Sequence, residues 1–318
     1  MPSVFVTRRL PSSVLSKLRA VADVDLHSGE AAIPPDALRL RVADKEGLVC
    51  VVTDVIDRSV LDAAPSMKVI ANVAAGYSNI DVAHARSRGV IVTNTPDVLT
   101  ESVADFTWGL ILGITRRLAE GERLLRRGEW KGWALDFMLG SELRGRQLGL
   151  IGFGRIGRAV AARAPAFGMR VAYTSRREPD GAGANAGPAE AMSLDRLLIT
   201  SDVISLHVPL TPETKHLIDK RALARMKRSA YLINTARGPV VDEAALAWAL
   251  QQHLIAGAAL DVYEEEPVVH ADLLPLENVL LIPHLASGTT ETRSTMAELA
   301  VDNVIEVLAG RSPLTPVS

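Results

Sequence analysis

Three segments of this 318-residue chain hold ionisable residues beside glycine or proline in otherwise apolar surroundings. LINTARGPVVDE carries Arg237, GAALDVYEEEP carries Glu264, Glu265 and Glu266 ahead of Pro267, and LLIPHLASGT carries His284. An arginine, a glutamate and a histidine together suit the reduction of a 2-keto acid. A planar guanidinium holds a carboxylate through two parallel hydrogen bonds. An imidazole, with an ordinary pKa of about 6.5, delivers a proton at neutral pH. A neighbouring carboxylate favours its charged form and fixes its tautomer. Each residue alone has a bland structural explanation, an ion pair or a solvated loop. What joins them is position: each lies beyond an apolar, strand-like run, and open parallel sheets bind ligands outside the carboxyl ends of their strands.

Such chemistry needs a hydride source, and LGLIGFGRIGRAV supplies a place for one. Its glycines Gly152, Gly154 and Gly157 follow a predicted strand and open a predicted amphipathic helix. The first permits a tight turn, the second lets the backbone approach a pyrophosphate, and the third lets helix and strand pack closely. The phosphates would rest on the helix N-terminus. About twenty residues on, where an NAD site places an acid, the chain reads Thr174-Ser175-Arg176-Arg177. No carboxylate is there to repel a 2′-phosphate, Ser175 can donate to one, and Arg176 or Arg177 can pair with it. NADP(H) is therefore the expected cofactor, with NAD(H) weaker.

These segments must be carried by a parallel sheet. Strands are expected at Val4–Val6, Leu48–Val52, Val69–Asn72, Val90–Val92, Gln147–Ile151, Arg170–Tyr173, Val203–Leu206, Ala230–Ile233, Ala258–Asp261 and Val279–Ile282. Most are apolar on both faces, as strands covered by helices on both sides are. Helical patterns such as Arg155–Phe167 and Glu243–Gln252 alternate with them, so the fold class is α/β with doubly wound sheets. The glycine loop sits mid-chain, after a first set of βα units over residues 1–99. An apolar segment, Ser102–Thr115, reads as a linking helix with Thr100 as N-cap. The stretch Arg126–Arg144 reads as an irregular arm, and residues 178–188 as a polar, glycine-rich loop.

Composition narrows the function classes. With 48% apolar and 23% charged residues the chain is globular, and a net charge of −2 favours neither nucleic acid nor an anionic membrane. The single cysteine, Cys50, lies in an apolar strand and suits a reducing, cytoplasmic setting. There is no basic start followed by a long apolar run, nor a stretch long enough to span a bilayer. His27, His84, His207, His216, His253 and His270 show no metal-ligand spacing; no metal is expected.

Taken in order, NVAAGYSNID (72–81), GLIGFGRIGRAVA (149–161), HVPLTPET (207–214), MKRSAYLINTARGPVVDEAAL (226–246), AALDVYEEEP (258–267) and PHLASGT (283–289) resemble the D-isomer-specific 2-hydroxyacid dehydrogenases over nearly the whole chain. Within that family the chain is similar to the glyoxylate/hydroxypyruvate reductases and the 2-ketogluconate reductases. The resemblance implies a flavodoxin-like substrate domain from residues 1–99 and 287–318, interrupted by a Rossmann cofactor domain at 100–286. It places the catalytic arginine, glutamate and histidine at Arg237, Glu266 and His284. It implies that backbone amides of Ala74, Ala75 and Gly76 bind the substrate carboxylate with Arg237 and His284. Many relatives have glycine where this chain has Ala74. It draws the cofactor site from Thr107, Gly152, Phe153, Gly154, Arg155, Ile156, Gly157, Ser175, Arg176, Arg177, His207, Val208, Pro209, Thr214, Thr235, Ala236, Asp261, His284, Ser287 and Gly288. It also implies a homodimer through the cofactor domains, with Trp133 rather than Trp130 reaching the partner's active site. The function so implied is NADPH-dependent reduction of glyoxylate or hydroxypyruvate. A sugar-acid reductase is the enzymatic alternative, and a dinucleotide-sensing corepressor the non-enzymatic one.

Overall fold

The computed structural model describes residues 1–29, 31–176 and 188–317. The chain divides into two compact units, Met1–Leu99 with Gly288–Ser318, and Thr100–Ser287.

In the first unit, β1 (Ser3–Val6), α1 (Ser12–Arg19), β2 (Asp23–Leu26), α2 (Pro35–Val42), β3 (Gly47–Cys50), α3 (Arg58–Asp62), β4 (Val69–Asn72), α4 (Val82–Ser87) and β5 (Ile91–Thr93) alternate. The five strands are all parallel in the order β2-β1-β3-β4-β5, the flavodoxin-like order. Val4, Val6, Val49, Val69 and Ala71 face one layer, packed on Val14, Leu18 and the C-terminal helix Thr290–Leu308. Phe5, Leu48, Cys50 and Ile70 face the other, against Leu38, Val60 and Leu61. Residues i and i+1 of β1, β3 and β4 thus serve opposite layers, which is why these strands read as unbroken apolar runs.

The second unit contains α5 (Thr100–Thr115), α6 (Leu118–Arg126), β6 (Gln147–Ile151), α7 (Arg155–Arg163), β7 (Arg170–Thr174), β8 (Ala189–Ala191), α8 (Leu194–Thr200), β9 (Val203–Leu206), α9 (Lys220–Arg225), β10 (Tyr231–Asn234), α10 (Glu243–Gln251), β11 (Gly257–Leu260) and β12 (Val279–Leu281). Its seven parallel strands run β12-β11-β10-β9-β6-β7-β8. Numbered from β6, that is the Rossmann order, with the topological switch between β6 and β9. The glycine loop leaves β6 at that switch.

Several expectations need correction. The linking helix starts at Thr100 itself, so Thr100 is its first residue and not a cap two residues ahead. Arg155–Phe167 is not one helix: α7 stops at Arg163 and a 3₁₀ turn, Ala164–Phe167, follows. Pro165 lacks the N–H that another α turn requires. Strand ends shift by one or two residues, as at Val52, which lies beyond β3. Two strands, β2 and β8, were not foreseen. In DVDL the apolar residues alternate with acids because β2 is an edge, and AEA in β8 is only three residues long. The arm after Arg126 has no helix or strand up to β6, and the loop expected at 178–188 lies almost wholly outside the described residues.

Candidate active site

The two reactive segments of the second unit begin at strand ends. Arg237 is three residues past β10 and His284 three past β12. Glu266 is on the loop after β11. His284 Nδ1 lies 2.8 Å from Glu266 Oε2, and the Tyr263 N–H donates to Glu266 Oε1 at 3.2 Å. Burial pushes the Glu266 carboxyl up, but the hydrogen bond and charge of His284, the Tyr263 N–H and the Arg237 charge more than reverse that, leaving it below its ordinary value. Burial pulls the Arg237 guanidinium down, opposed by the charge of Glu266; at any working pH it stays protonated. A guanidinium, a carboxylate and an imidazole therefore share one electrostatic cluster, with the carboxylate as the common partner.

The loops carrying these groups are locked together. A Cβ on Gly238, beside Arg237, would lie 1.8 Å from the carbonyl carbon of Tyr263, so only glycine lets the arginine turn rest on the Tyr263–Glu264 peptide. Glu243 N donates to Glu264 Oε1 at 2.8 Å, and Glu264 N donates to Glu243 Oε1 at 2.7 Å. His216 Nε2 closes on Glu264 Oε2 at 2.8 Å, while the His216 N–H donates to Pro239 O. Glu243 is 3% exposed, and burial, reinforced by the Glu264 charge, raises its pKa. Nothing in the sequence singles out this pair of glutamates. A run of three glutamates, EEE, does not show which faces inward. Reciprocal N–H to carboxylate pairs across two distant segments leave no local pattern.

Asp261 directly follows β11 and is fully buried. Its carboxylate accepts from the N–H groups of Leu285 at 2.6 Å and Ala286 at 2.9 Å, and its carbonyl accepts from His284 N at 2.9 Å. His284 itself has φ of 51°, a left-handed conformation that few residues other than glycine adopt, histidine being among those enriched there. The Asp261 clamp is what holds the imidazole-bearing residue in that conformation.

The glycine loop has the shape a dinucleotide requires. Gly152 has φ of 98°, and a Cβ there would lie 2.5 Å from the His207 carbonyl oxygen. A Cβ on Gly157 would lie 2.3 Å from the Gly152 carbonyl oxygen, whereas one on Gly154 would meet nothing within 4 Å. Gly154 is the N-cap of α7, and no side chain caps that helix. Arg155 and Ile156 form its first turn. The first and third glycines are thus consumed by internal packing, and the second faces open space at a helix N-terminus, where an anion is stabilised. Phe153 points away: its ring is buried and stacked on Tyr173, with centroids 3.9 Å apart, leaving only its backbone for a ligand.

Around that loop, Thr107 and Thr235 meet through their hydroxyls at 3.2 Å. Ala236 N is held by Asn234 Oδ1. His207 pairs with Ser205 at 2.9 Å, and burial takes its imidazole down to about 4. Val208 and Pro209 follow it, and Thr214 folds the segment back by donating to Pro209 O at 2.7 Å. Ser175 and Arg176 are exposed just past β7, while Arg177 lies outside the described residues. Ser287 is half-buried and Gly288 exposed.

In the first unit, Ala74, Ala75 and Gly76 form a turn beyond β4, at the carboxyl edge of that sheet. Ala74 is not among the positive-φ residues, so an alanine is accommodated where many relatives have glycine. On the arm, Trp133 is 81% exposed and Trp130 55%; within the chain neither is buried.

A Rossmann sheet with a fitted glycine loop, and an arginine–glutamate–histidine cluster at its carboxyl edge, define a dinucleotide-dependent oxidoreductase. The profile described as the NAD binding domain of D-isomer specific 2-hydroxyacid dehydrogenases matches residues 108–286. A glyoxylate reductase of Thermofilum pendens is 47% identical over 98% of this chain and 93% of its own. A solved structure of an NADPH-dependent glyoxylate/hydroxypyruvate reductase from Sinorhizobium meliloti, in complex with NADP and malonate, superposes with a TM-score of 0.87 at 38% identity, over 100% of this chain and 97% of that one. A Thermus thermophilus protein superposes with a TM-score of 0.92 at 46% identity, over 99% and 100%. The chain belongs to the D-isomer specific 2-hydroxyacid dehydrogenase family and is an enzyme of that family. No helix among the described residues is long and apolar enough to cross a membrane.

Proposed function

We propose that the protein reduces small 2-keto acids, glyoxylate or hydroxypyruvate, to 2-hydroxy acids with NADPH. The observation that carries the reading is the His284–Glu266 contact of 2.8 Å, set beside Arg237 on one sheet edge. The dinucleotide, when bound, supplies the hydride for the carbonyl carbon. Arg237 pairs with the substrate carboxylate and polarises the carbonyl. His284, with Nδ1 engaged by Glu266, delivers a proton from Nε2 to the carbonyl oxygen and ends neutral. Glu266 holds the imidazole in that orientation and stabilises its charged form before transfer. The backbone N–H groups of the Ala74–Gly76 turn receive the substrate carboxylate.

The preference for NADPH is supported by the exposed Ser175 and Arg176 after β7, with no carboxylate among Thr174, Ser175, Arg176 and Arg177. It is also what the Sinorhizobium relative uses. The cofactor contacts are those set out above, Thr107 to Gly288. The arm supports a homodimer through the second unit: Trp133, Trp130 and the 82%-exposed Leu135 are apolar surface that a second copy would cover, with Trp133 reaching the partner's substrate site. The buried thiol of Cys50 suits the cytoplasm.

Steady-state assays of glyoxylate, hydroxypyruvate, pyruvate, phenylpyruvate and 2-ketogluconate with NADPH and NADH test the reading. Highest kcat/KM for the first two with NADPH is the expected result, and a better NADH efficiency rejects the cofactor assignment. Preference for 2-ketogluconate would move the protein to the sugar-acid reductases. No turnover with any of the five would leave the sensor reading standing. Sedimentation of wild type and Trp133→Ala, with their substrate rankings, tests the dimer and the role of the tryptophan.

A further inference from the structure

All three carbonyls of the Ala74–Gly76 turn are occupied by donors from the first unit. Thr95 N donates to Ala74 O at 2.9 Å, Asn94 Nδ2 to Ala75 O at 2.6 Å and Asn72 Nδ2 to Gly76 O at 2.9 Å. Within a planar trans peptide the C=O and the following N–H point in opposite directions. Tying back these carbonyls therefore turns the N–H groups of Ala75, Gly76 and Tyr77 away from those donors, and none of the three makes a backbone hydrogen bond among the described residues. Three successive N–H groups without a backbone acceptor suit the binding of an anion.

The two asparagines are themselves braced. Asn72 and Asn79 exchange side-chain hydrogen bonds at 3.1 and 3.4 Å, and Asn79 Nδ2 also donates to Val51 O and Asp54 O. Asn94 is gripped through its main chain: its N–H donates to Thr315 O at 3.3 Å and its carbonyl accepts from Thr315 Oγ1 at 2.6 Å. Thr315 is fixed in turn by Asn303 of the C-terminal helix. The Leu314 and Thr315 N–H groups donate to Asn303 Oδ1, and Asn303 Nδ2 donates to Thr315 Oγ1 at 2.9 Å. Asn303 is fully buried. Amides are the suitable chemistry here. A carboxylate in place of Asn94 or Asn72 has no proton to donate and would add negative charge behind a turn that receives an anion.

We infer that Asn94 and Asn72 are positioning residues that orient the carboxylate-binding turn, and that the relay Asn303–Thr315–Asn94 makes the C-terminal tail part of substrate recognition. The inference rests on the reading that the substrate is a 2-keto acid whose carboxylate meets this turn. It predicts a split in the kinetics. In the full-length enzyme, Asn94→Ala should raise the KM for glyoxylate by up to about tenfold, the upper range for one lost neutral hydrogen bond. The kcat should stay within about twofold and the KM for NADPH unchanged. Thr315→Val, which keeps the side-chain shape and removes its hydroxyl, should raise the same KM by a smaller factor. An unchanged glyoxylate KM in Asn94→Ala overturns the inference, as does a loss spread equally over kcat and NADPH binding. Failure of the underlying reading is distinguishable, because it shows in the wild-type enzyme as no turnover of any 2-keto acid.

Discussion

The chain contains two turns at the carboxyl ends of parallel strands that are proposed to receive anions, and they are built by different means. After β6, Gly152, Gly154 and Gly157 make the turn by lacking side chains: two positions have no room for a Cβ and the third faces open space at a helix N-terminus. After β4, Ala74, Ala75 and Gly76 make theirs with carbonyls bound by Thr95, Asn94 and Asn72. The first is a local steric device, and its support, the His207 carbonyl and the Gly152 carbonyl, is packed against it. The second is suspended from partners reaching as far as Thr315. A turn shaped by absent side chains tolerates almost no change within itself and little depends on distant positions. A suspended turn has the reverse sensitivity.

Removing His284, the proposed proton donor, is the largest effect expected. His284→Ala should lower kcat by about 10²–10⁴-fold, the usual contribution of a general acid, with NADPH binding by fluorescence unchanged. Gly152→Ala attacks the steric device. A left-handed residue strains the backbone by about 1–2 kcal/mol, and its Cβ has no space, so NADPH affinity should fall more than tenfold while the glyoxylate KM at saturating NADPH barely moves. Equal damage to both affinities would mean that the two turns are not independent. Arg176→Ala should reduce the NADPH-over-NADH ratio by about tenfold, one charge-assisted pair, measured as kcat/KM for each cofactor. The smallest effect concerns pH. Because burial takes the His207 imidazole to about 4 from an ordinary value of about 6.5, it titrates lower folded than unfolded. The stability it lends is complete above about pH 6.5 and is lost progressively as pH falls toward 4. The thermal midpoint should decline over that window, and His207→Asn should flatten the decline. Asn72 and Asn94 do not titrate, so their substitution should leave that slope alone.

The same contrast governs what the sequence made legible. The doubly wound α/β class, ten of the twelve strands among the described residues and the glycine turn follow from local signals, namely apolar runs, glycine spacing and a helix start, whereas the Rossmann arrangement follows from the resemblance. Arg237, Glu266 and His284 were readable because each sits beyond a strand and because their motifs resemble a known family. The asparagine suspension was not readable. Asn72, Asn94 and Asn303 lie far apart, each polar residue has many uses, and only three-dimensional placement shows that they serve one turn. The Glu243–Glu264 exchange was hidden for the same reason. The edge strand β2 was lost because its acids break the apolar run, and Pro165 ended a helix that periodicity alone would have carried on to Phe167.

The contact between Gly238 and the Tyr263–Glu264 peptide also bears on redesign. Because no side chain fits at position 238, the arginine turn and the glutamate loop form one inflexible cassette. Directed evolution toward bulkier or differently charged keto acids should find few productive substitutions between Arg237 and Val240. The accessible route lies in the first unit, where residues 72–79 and Asn94 could be exchanged together with a tail segment around Thr315 as a single graft, leaving the hydride and proton chemistry untouched.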